Sequence, residues 1–148
     1  MTELNTREIA EHWFHIMKSA PYADDWKIED TFVEKLTTIW PWLQVYFDVL
    51  DMLEKKSENF LQATTLGAYG LQQTLGLRFD GACALFMLLF LSRYIEQIPP
   101  QKKDETLKYY ADIIEQLVKD QNEKAKGIRA DDAWLKWFEG QWQGEGGH

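Results

Sequence analysis

The chain has 148 residues, 45% of them hydrophobic, so it has the length of one ordinary domain and enough apolar material for a core. Its net charge of −8 and pI near 4.9 disfavour binding to DNA, RNA or anionic lipid, because an acidic surface repels their phosphates. Its one cysteine, Cys83, cannot form an intramolecular disulfide. Since the first residues lack the basic and apolar regions of a signal peptide, we expect a cytoplasmic protein.

The first predicted helix covers about residues 4–19 and carries the best metal-binding candidates in the chain. One side is apolar, and the opposite side carries the potential ligands Glu8, Glu11, His12 and His15. Imidazole and carboxylate groups one helical turn apart can share a Zn²⁺ or iron ion. The spacing matches neither HExxH nor Glu-x-x-His, however, so we expect a solvated polar face and no metal or other cofactor.

An acidic segment follows Pro21, which ends the first helix. A second helix is predicted from Thr31 to about Lys56, and Pro41 either kinks it or begins a new helix. Residues 1–56 contain eleven acidic and six basic residues. Carboxylates around an aromatic side chain suit a basic protein surface, because charge speeds association and the ring supplies buried contact. We assign to this partner-binding surface Asp24, Asp25, Trp26, Asp30, Glu34, Asp48 and Asp51. The alternative is an ordinary solvated face.

A third helix is predicted from its N-cap residue Ser57 to Gly76. One strip of it carries only small residues, namely Ala63, Gly67, Gly70 and Thr74. Two glycines inside a helix cost about 1 kcal/mol each relative to alanine, so the missing side chains must permit some favourable contact. Close approach of a neighbouring helix is the favoured interpretation, and a flat ligand lying on the strip is the alternative.

A fourth helix, covering about residues 81–97, is predicted to begin after Asp80. Its run "ACALFMLLFL" (82–91) is shorter than the roughly 18 residues of a membrane span, so we predict a nearly all-apolar central helix buried in a bundle. Cys83 lies in its first turn, and no histidine is near it in sequence. We therefore interpret Cys83 as a buried small hydrophobe rather than a nucleophile.

The remaining sequence predicts a fifth helix over about residues 104–126 and a short last helix after Asp131 or Asp132. No stretch alternates long enough to predict a β-strand. The predicted fold is therefore all-α, a single-domain bundle of five or six helices over residues 1–143, followed by a flexible tail at 144–148.

Aromatic residues are concentrated in that last helix. Trp134, Trp137 and Phe138 share one face of a helix that is too short to be stable by itself in water. We predict that this face covers the protein's own core. Trp142 lies past Gly140 and beside the tail, so it is predicted to be free to contact a partner.

Three classes of function are compatible with these features. The favoured class is a small acidic protein-binding module that covers a basic or nucleic-acid-acting protein, as an inhibitor, antitoxin or immunity protein would. Such a module binds protein rather than nucleic acid or membrane, and it needs no catalytic residue. The first alternative is a helical subunit of a larger complex or a homodimer. The second is a ligand- or metal-binding bundle that uses the His12/His15 face or the glycine strip.

Overall fold

The protein is all-helical in the parts that the computed structural model describes, which are residues 5–21, 23–93, 98–121, 136–137 and 140–141. Within these residues the chain forms five helices and no strand, as the sequence predicts. Their bounds are α1 Thr6–Lys18, α2 Thr31–Asp51, α3 Glu58–Leu75, α4 Phe79–Ser92 and α5 Pro100–Gln121. The predicted division into a domain at 1–143 and a tail at 144–148 stays a prediction, because much of the C-terminal segment lies outside the described residues.

Side-chain caps set two of the helix starts. Asn5 accepts a hydrogen bond from the backbone N–H of Glu8 at 2.8 Å, which fixes the start of α1. Ser57 caps α3 in the predicted way, because its hydroxyl accepts from the N–H of Phe60 at 3.1 Å. The predicted start of α4 after Asp80 is wrong by two residues. Arg78 is the residue that precedes the first turn, and Asp80 lies within that turn.

Pro41 lies inside α2, and the helix continues through it without a break. The predicted alternative of a new helix beginning at Pro41 is therefore wrong. The cost of the proline is one lost backbone hydrogen bond and crowding of the preceding turn. The outcome is a single helix of 21 residues, which presents one long outer face to solvent.

The core is built around α4, in which every residue from Phe79 to Leu91 is buried. This helix packs against α3 and α5, while α1 packs against α2 and α2 against α3. Aromatic rings from α2, α3 and α4 meet in this core. Phe47 lies 5.1 Å from Phe86 between ring centroids, and Phe60 lies 5.8 Å from Phe90. Tilted ring pairs at such distances add to the burial of apolar area that stabilises the bundle.

Candidate protein-interaction surface

Trp26 is not available to a partner, so this part of the predicted interaction surface is wrong. Its side chain is 0% exposed. The indole lies over Gly81 in α4, where a Cβ atom would come within 2.7 Å of Trp26 Cγ. The sequence places Trp26 among carboxylates, but the loop between α1 and α2 turns the ring inward to the core, because burying an indole removes a large apolar area from water.

The predicted acidic residues themselves do lie on the surface. Asp24 and Asp25 are exposed in the loop before α2, and Asp30 and Glu34 are exposed at its start. Further along α2, Asp48 and Asp51 have side chains that are 65% and 61% exposed. The carboxylates are thus accessible, but the aromatic residue that we assigned to them is not.

A different aromatic side chain stands on the outer face of α2. Trp42 is 53% exposed, and Val45, Val49 and Met52 are 63%, 56% and 84% exposed. Their spacing of three, four and three residues puts them on one side of the helix. We call Trp42, Val45, Val49 and Met52 the α2 stripe. Together with Leu66 of α3, which is 65% exposed, they make up the exposed large hydrophobic side chains among the described residues.

The α2 stripe is held against α3 on one side. The Trp42 ring stacks on Tyr46, with 5.4 Å between ring centroids and 20° between the ring planes. The hydroxyl of Tyr46 donates to the backbone carbonyl of Ala63 in α3 at 2.5 Å. Trp42 also lies beside Gly70, at 3.7 Å from the position of a Cβ atom there. Ala63 and Gly70 lie three residues before and four residues after Leu66, so helical spacing places Leu66 near the side of α3 that meets α2.

The other side of the α2 stripe carries carboxylates. At 100° per residue, Asp30, Glu34, Asp48 and Asp51 fall within about 100° of one another, on the side of the stripe that faces away from α3. We call these four residues the acidic edge. Two of them already have partners in the chain: Asp48 pairs with Arg93, and Asp51 pairs with Lys55 at 3.4 Å. Surface ion pairs contribute only about 0–1 kcal/mol, and the side chains of Asp48 and Asp51 remain more than half exposed in theirs.

The sequence carries a signal for the α2 stripe that the predicted interaction surface does not include. The core-facing residues of α2, such as Leu43, Phe47 and Leu50, satisfy the expected helical spacing by themselves. Val45, Val49 and Met52 follow a second apolar spacing that this helix does not need for its own core. A helix with two apolar faces is typical either of complete burial or of a second contact, and here the second face is exposed.

One of the C-terminal aromatic residues can be located. Trp137 packs against the core, with its ring 5.9 Å from that of Trp26, and its indole N–H donates to the Ser19 hydroxyl at 2.9 Å. This contact agrees with the predicted covering of the protein's own core. Trp134, Phe138 and Trp142 lie outside the described residues, so the assignment of Trp142 to a partner stays a prediction.

The metal candidates of α1 are not brought together by the fold. In the part of the chain that the structure describes, no three histidine, cysteine or carboxylate side chains are placed to hold a metal ion. Glu8 instead accepts a hydrogen bond from Asn5 at 2.7 Å, and Glu11 lies 3.8 Å from Arg7. His12 and His15 are exposed and lie edge-on to their chain neighbours Trp13 and Phe14. These contacts describe a solvated helix face.

Two further sequence features serve packing. A Cβ atom at Gly67 would lie 2.2 Å from the Phe86 ring, so Gly67 lets α4 approach α3 closely, as the favoured interpretation predicts, whereas the nearest neighbour of a Cβ atom at Gly70 would be Trp42 of α2, at an ordinary 3.7 Å. Cys83 is 0% exposed, and its burial, followed by the charge of Asp80, raises the pKa of the thiol. A thiol in that environment stays protonated, which is consistent with a buried hydrophobe and not with a nucleophile.

None of the described helices is by itself long and apolar enough to span a membrane. Together α3 and α4 have the length and composition of a span, but the chain bends by 114° between them.

Comparison with protein-family models, with curated proteins and with solved structures finds no match to this chain.

Proposed function

We propose that the protein is a small acidic protein-binding module, and that its binding surface is the α2 stripe with Leu66 and the acidic edge. The observation that carries the proposal is the exposure of Trp42, Val45, Val49 and Met52 on one face of a helix whose other face already fills the core. A contiguous apolar surface with a polar border is typical of a protein–protein contact. Trp42 supplies the large aromatic contact that such surfaces depend on.

The partner that fits this surface is an amphipathic helix with lysine or arginine beside its apolar face. Its apolar residues would pack along the α2 stripe, as a helix packs in a groove. Its basic residues would face Glu34 and Asp48, which lie beside the stripe. A second copy of this chain fits less well, because each copy carries a net charge of −8. Covering a basic protein in this way is how an inhibitor, antitoxin or immunity protein acts.

The proposal is tested with two synthetic helical peptides that share one leucine face. The first has lysine at the flanking positions and the second has glutamate. We expect the lysine peptide to bind and its affinity to fall as salt is raised, because the flanking charges are exposed. The glutamate peptide should bind at least about tenfold more weakly, which corresponds to roughly 1.4 kcal/mol. Calorimetric titration measures both affinities.

A double variant, Val45→Gln with Val49→Gln, provides the matched test of the surface. Both positions are more than half exposed, and glutamine has a higher helix propensity than valine, so the fold should not be weakened. The variant should lose affinity for the lysine peptide, whereas the exposed Glu105→Gln control on α5 should keep it. Equal binding of both peptides would contradict the role of the acidic edge. A discrete dimer in sedimentation that the double variant abolishes would assign the surface to a second copy instead.

A further inference from the structure

A cleft separate from the α2 stripe lies where the α1–α2 loop meets the junction of α3 and α4. Its volume is about 350 Å³, and its lining includes Lys27, Arg78, Tyr69, Gln72 and Phe79. That volume lies within the range of about 300–1,000 Å³ that is typical of small-molecule sites. The cleft shares no residue with the surface proposed above.

Two cationic residues, Lys27 and Arg78, line this cleft in a chain with an excess of acid. Lys27 follows Asp24 and Asp25 closely in sequence, yet neither Lys27 nor Arg78 has an ion-pair partner among the described residues. Both side chains are exposed. Lys27 and Arg78 form no direct ion pair within the described part of the chain, so both can meet an anion that enters the cleft, although the charge of Asp80 acts on Arg78.

The backbone holds the two cationic residues in fixed positions. Lys27 has a φ of 61°, which lies in the left-handed region that residues other than glycine rarely adopt. The N–H of Lys27 donates to the carbonyl of Asp24 at 3.2 Å, and the N–H of Arg78 donates to the carbonyl of Trp26 at 3.2 Å. The second bond ties the loop to the α3–α4 junction directly beside Lys27. The two cations therefore belong to one connected unit of backbone.

An aromatic wall completes the cleft. The Tyr69 ring lies 4.8 Å from the buried Phe79 ring, at an angle of 37°. Tyr69 is half-buried and is one of the residues that line the cleft. An aromatic ring in this setting can stack on a planar ligand. Gln72 adds a side-chain amide, which both donates and accepts hydrogen bonds.

We infer that this cleft binds a small anion in which a phosphate is joined to a planar ring, of the nucleoside monophosphate class. The phosphate lies between Lys27 and Arg78, because a dianion matches two cations. The ring lies against Tyr69, and Gln72 hydrogen-bonds to its edge. Two carboxylates oppose this binding electrostatically. Asp80 is close enough to Arg78 and Asp25 for their charges to act on its ionisation, so all three belong to the charge environment of the site.

The test is a calorimetric titration of the full chain with adenosine monophosphate, adenosine and inorganic phosphate. We expect saturable binding of the nucleotide with a Kd in the millimolar range or below, and binding of adenosine and of phosphate that is at least about tenfold weaker. Equal binding of nucleotide and phosphate would reduce the site to an anion site without ring recognition and would overturn the proposal. So would the absence of saturable binding by the nucleotide.

Three variants separate binding from folding. Lys27→Gly removes the charge and suits the positive φ, so the protein should fold at least as well while losing nucleotide affinity by about tenfold or more. Arg78→Ser removes the other charge and places a favourable N-cap residue before α4. Asp80→Asn should tighten nucleotide binding, because it removes a negative charge near Arg78. Unchanged affinity in both Lys27→Gly and Arg78→Ser would overturn the assignment of the site.

Discussion

Gly81 of α4 leaves the space that the Trp26 side chain occupies. A Cβ atom at Gly81 would lie 2.7 Å from Cγ and 2.8 Å from Cβ of Trp26. These atoms are at the base of the indole side chain, so they cannot move away without moving the backbone of the α1–α2 loop. The contact explains why Trp26 lies in the core although its neighbours in sequence are charged and exposed. It joins the loop that carries Asp24 and Asp25 to the central helix.

Gly81→Ala should therefore destabilise the protein. Alanine gains about 1 kcal/mol of helix propensity over glycine, but a forced contact in a packed core costs about 1–3 kcal/mol. The control is Gly70→Ala in α3, where the nearest atom, in Trp42, is 3.7 Å from the new Cβ and no clash arises. Gly70→Ala should stabilise by about 0.5–1 kcal/mol. Urea unfolding of both variants measures the difference, and a Gly81→Ala protein as stable as Gly70→Ala would contradict the close contact.

The contact between Gly67 and Phe86 predicts a coupled pair. Gly67→Ala places a Cβ atom 2.2 Å from the Phe86 ring, which is fully buried and packed against Phe47. We expect a loss of about 1–3 kcal/mol from overpacking. In a Phe86→Leu background the ring is gone, so the same substitution should cost less, with a coupling of about 0.5–3 kcal/mol between the two sites. If the losses of stability were additive, the Phe86 ring would not be what limits the size of the side chain at position 67.

The fold class follows from the sequence because helical spacing, caps and breakers agree with one another. Ser57 caps α3 where predicted, and the unbroken apolar run in α4 matches its complete burial. Pro41 shows where local sequence patterns stop being decisive. A proline inside a helix is compatible with a break or with continuation, and the packing of α2 against α1 and α3 decides between them.

The candidate surface could be predicted only in part, for a reason that Trp26 and Trp42 illustrate together. Trp26 directly follows Asp24 and Asp25 and is buried, whereas Trp42 lies six residues from its nearest carboxylate, Asp48, and is exposed, so local charge does not determine which ring is buried. The decision depends on space at Gly81, which is 55 positions away from Trp26. The carboxylates are easier to locate, because charged side chains are almost never fully buried without a partner.

Trp137 predicts a measurable link between the C-terminal segment and α1. Its indole N–H donates to the Ser19 hydroxyl, and its ring contacts Trp26. Trp137→Phe keeps a ring but removes the donor, so it should cost about 0.5–1.5 kcal/mol. In a Ser19→Ala background the same change should cost less, because the acceptor is already absent. Thermal unfolding of the wild type, the two single variants and the double variant gives the coupling free energy between the two positions. A coupling of zero would contradict the hydrogen bond.

Asp80 should make stability depend on pH in a defined direction. Burial raises the pKa of its carboxyl, and the nearby charge of Asp25 acts in the same sense, whereas bonds to the backbone N–H groups of Gly81 and Asp80 and the charge of Arg78 oppose the shift. The folded-state pKa thus lies above the unfolded-state value. Below the unfolded-state pKa the carboxyl is protonated in both the folded and the unfolded state, so stability carries no penalty for ionising it. As pH rises from that value through the folded-state pKa, the penalty for ionising a buried group develops and stability is lost.

Asp80→Asn removes the ionisable group but retains an oxygen that can accept from the N–H of Gly81, a bond of 3.1 Å in the native protein. The variant should therefore match the wild type in acid and become the more stable of the two as pH rises towards neutrality. Denaturant unfolding at several pH values measures this growing difference. If Asp80→Asn were less stable at neutral pH, the attraction of the carboxylate to Arg78 and to the backbone N–H groups would outweigh its burial. The predicted tightening of nucleotide binding by the same variant can then be compared with its stability at the same pH.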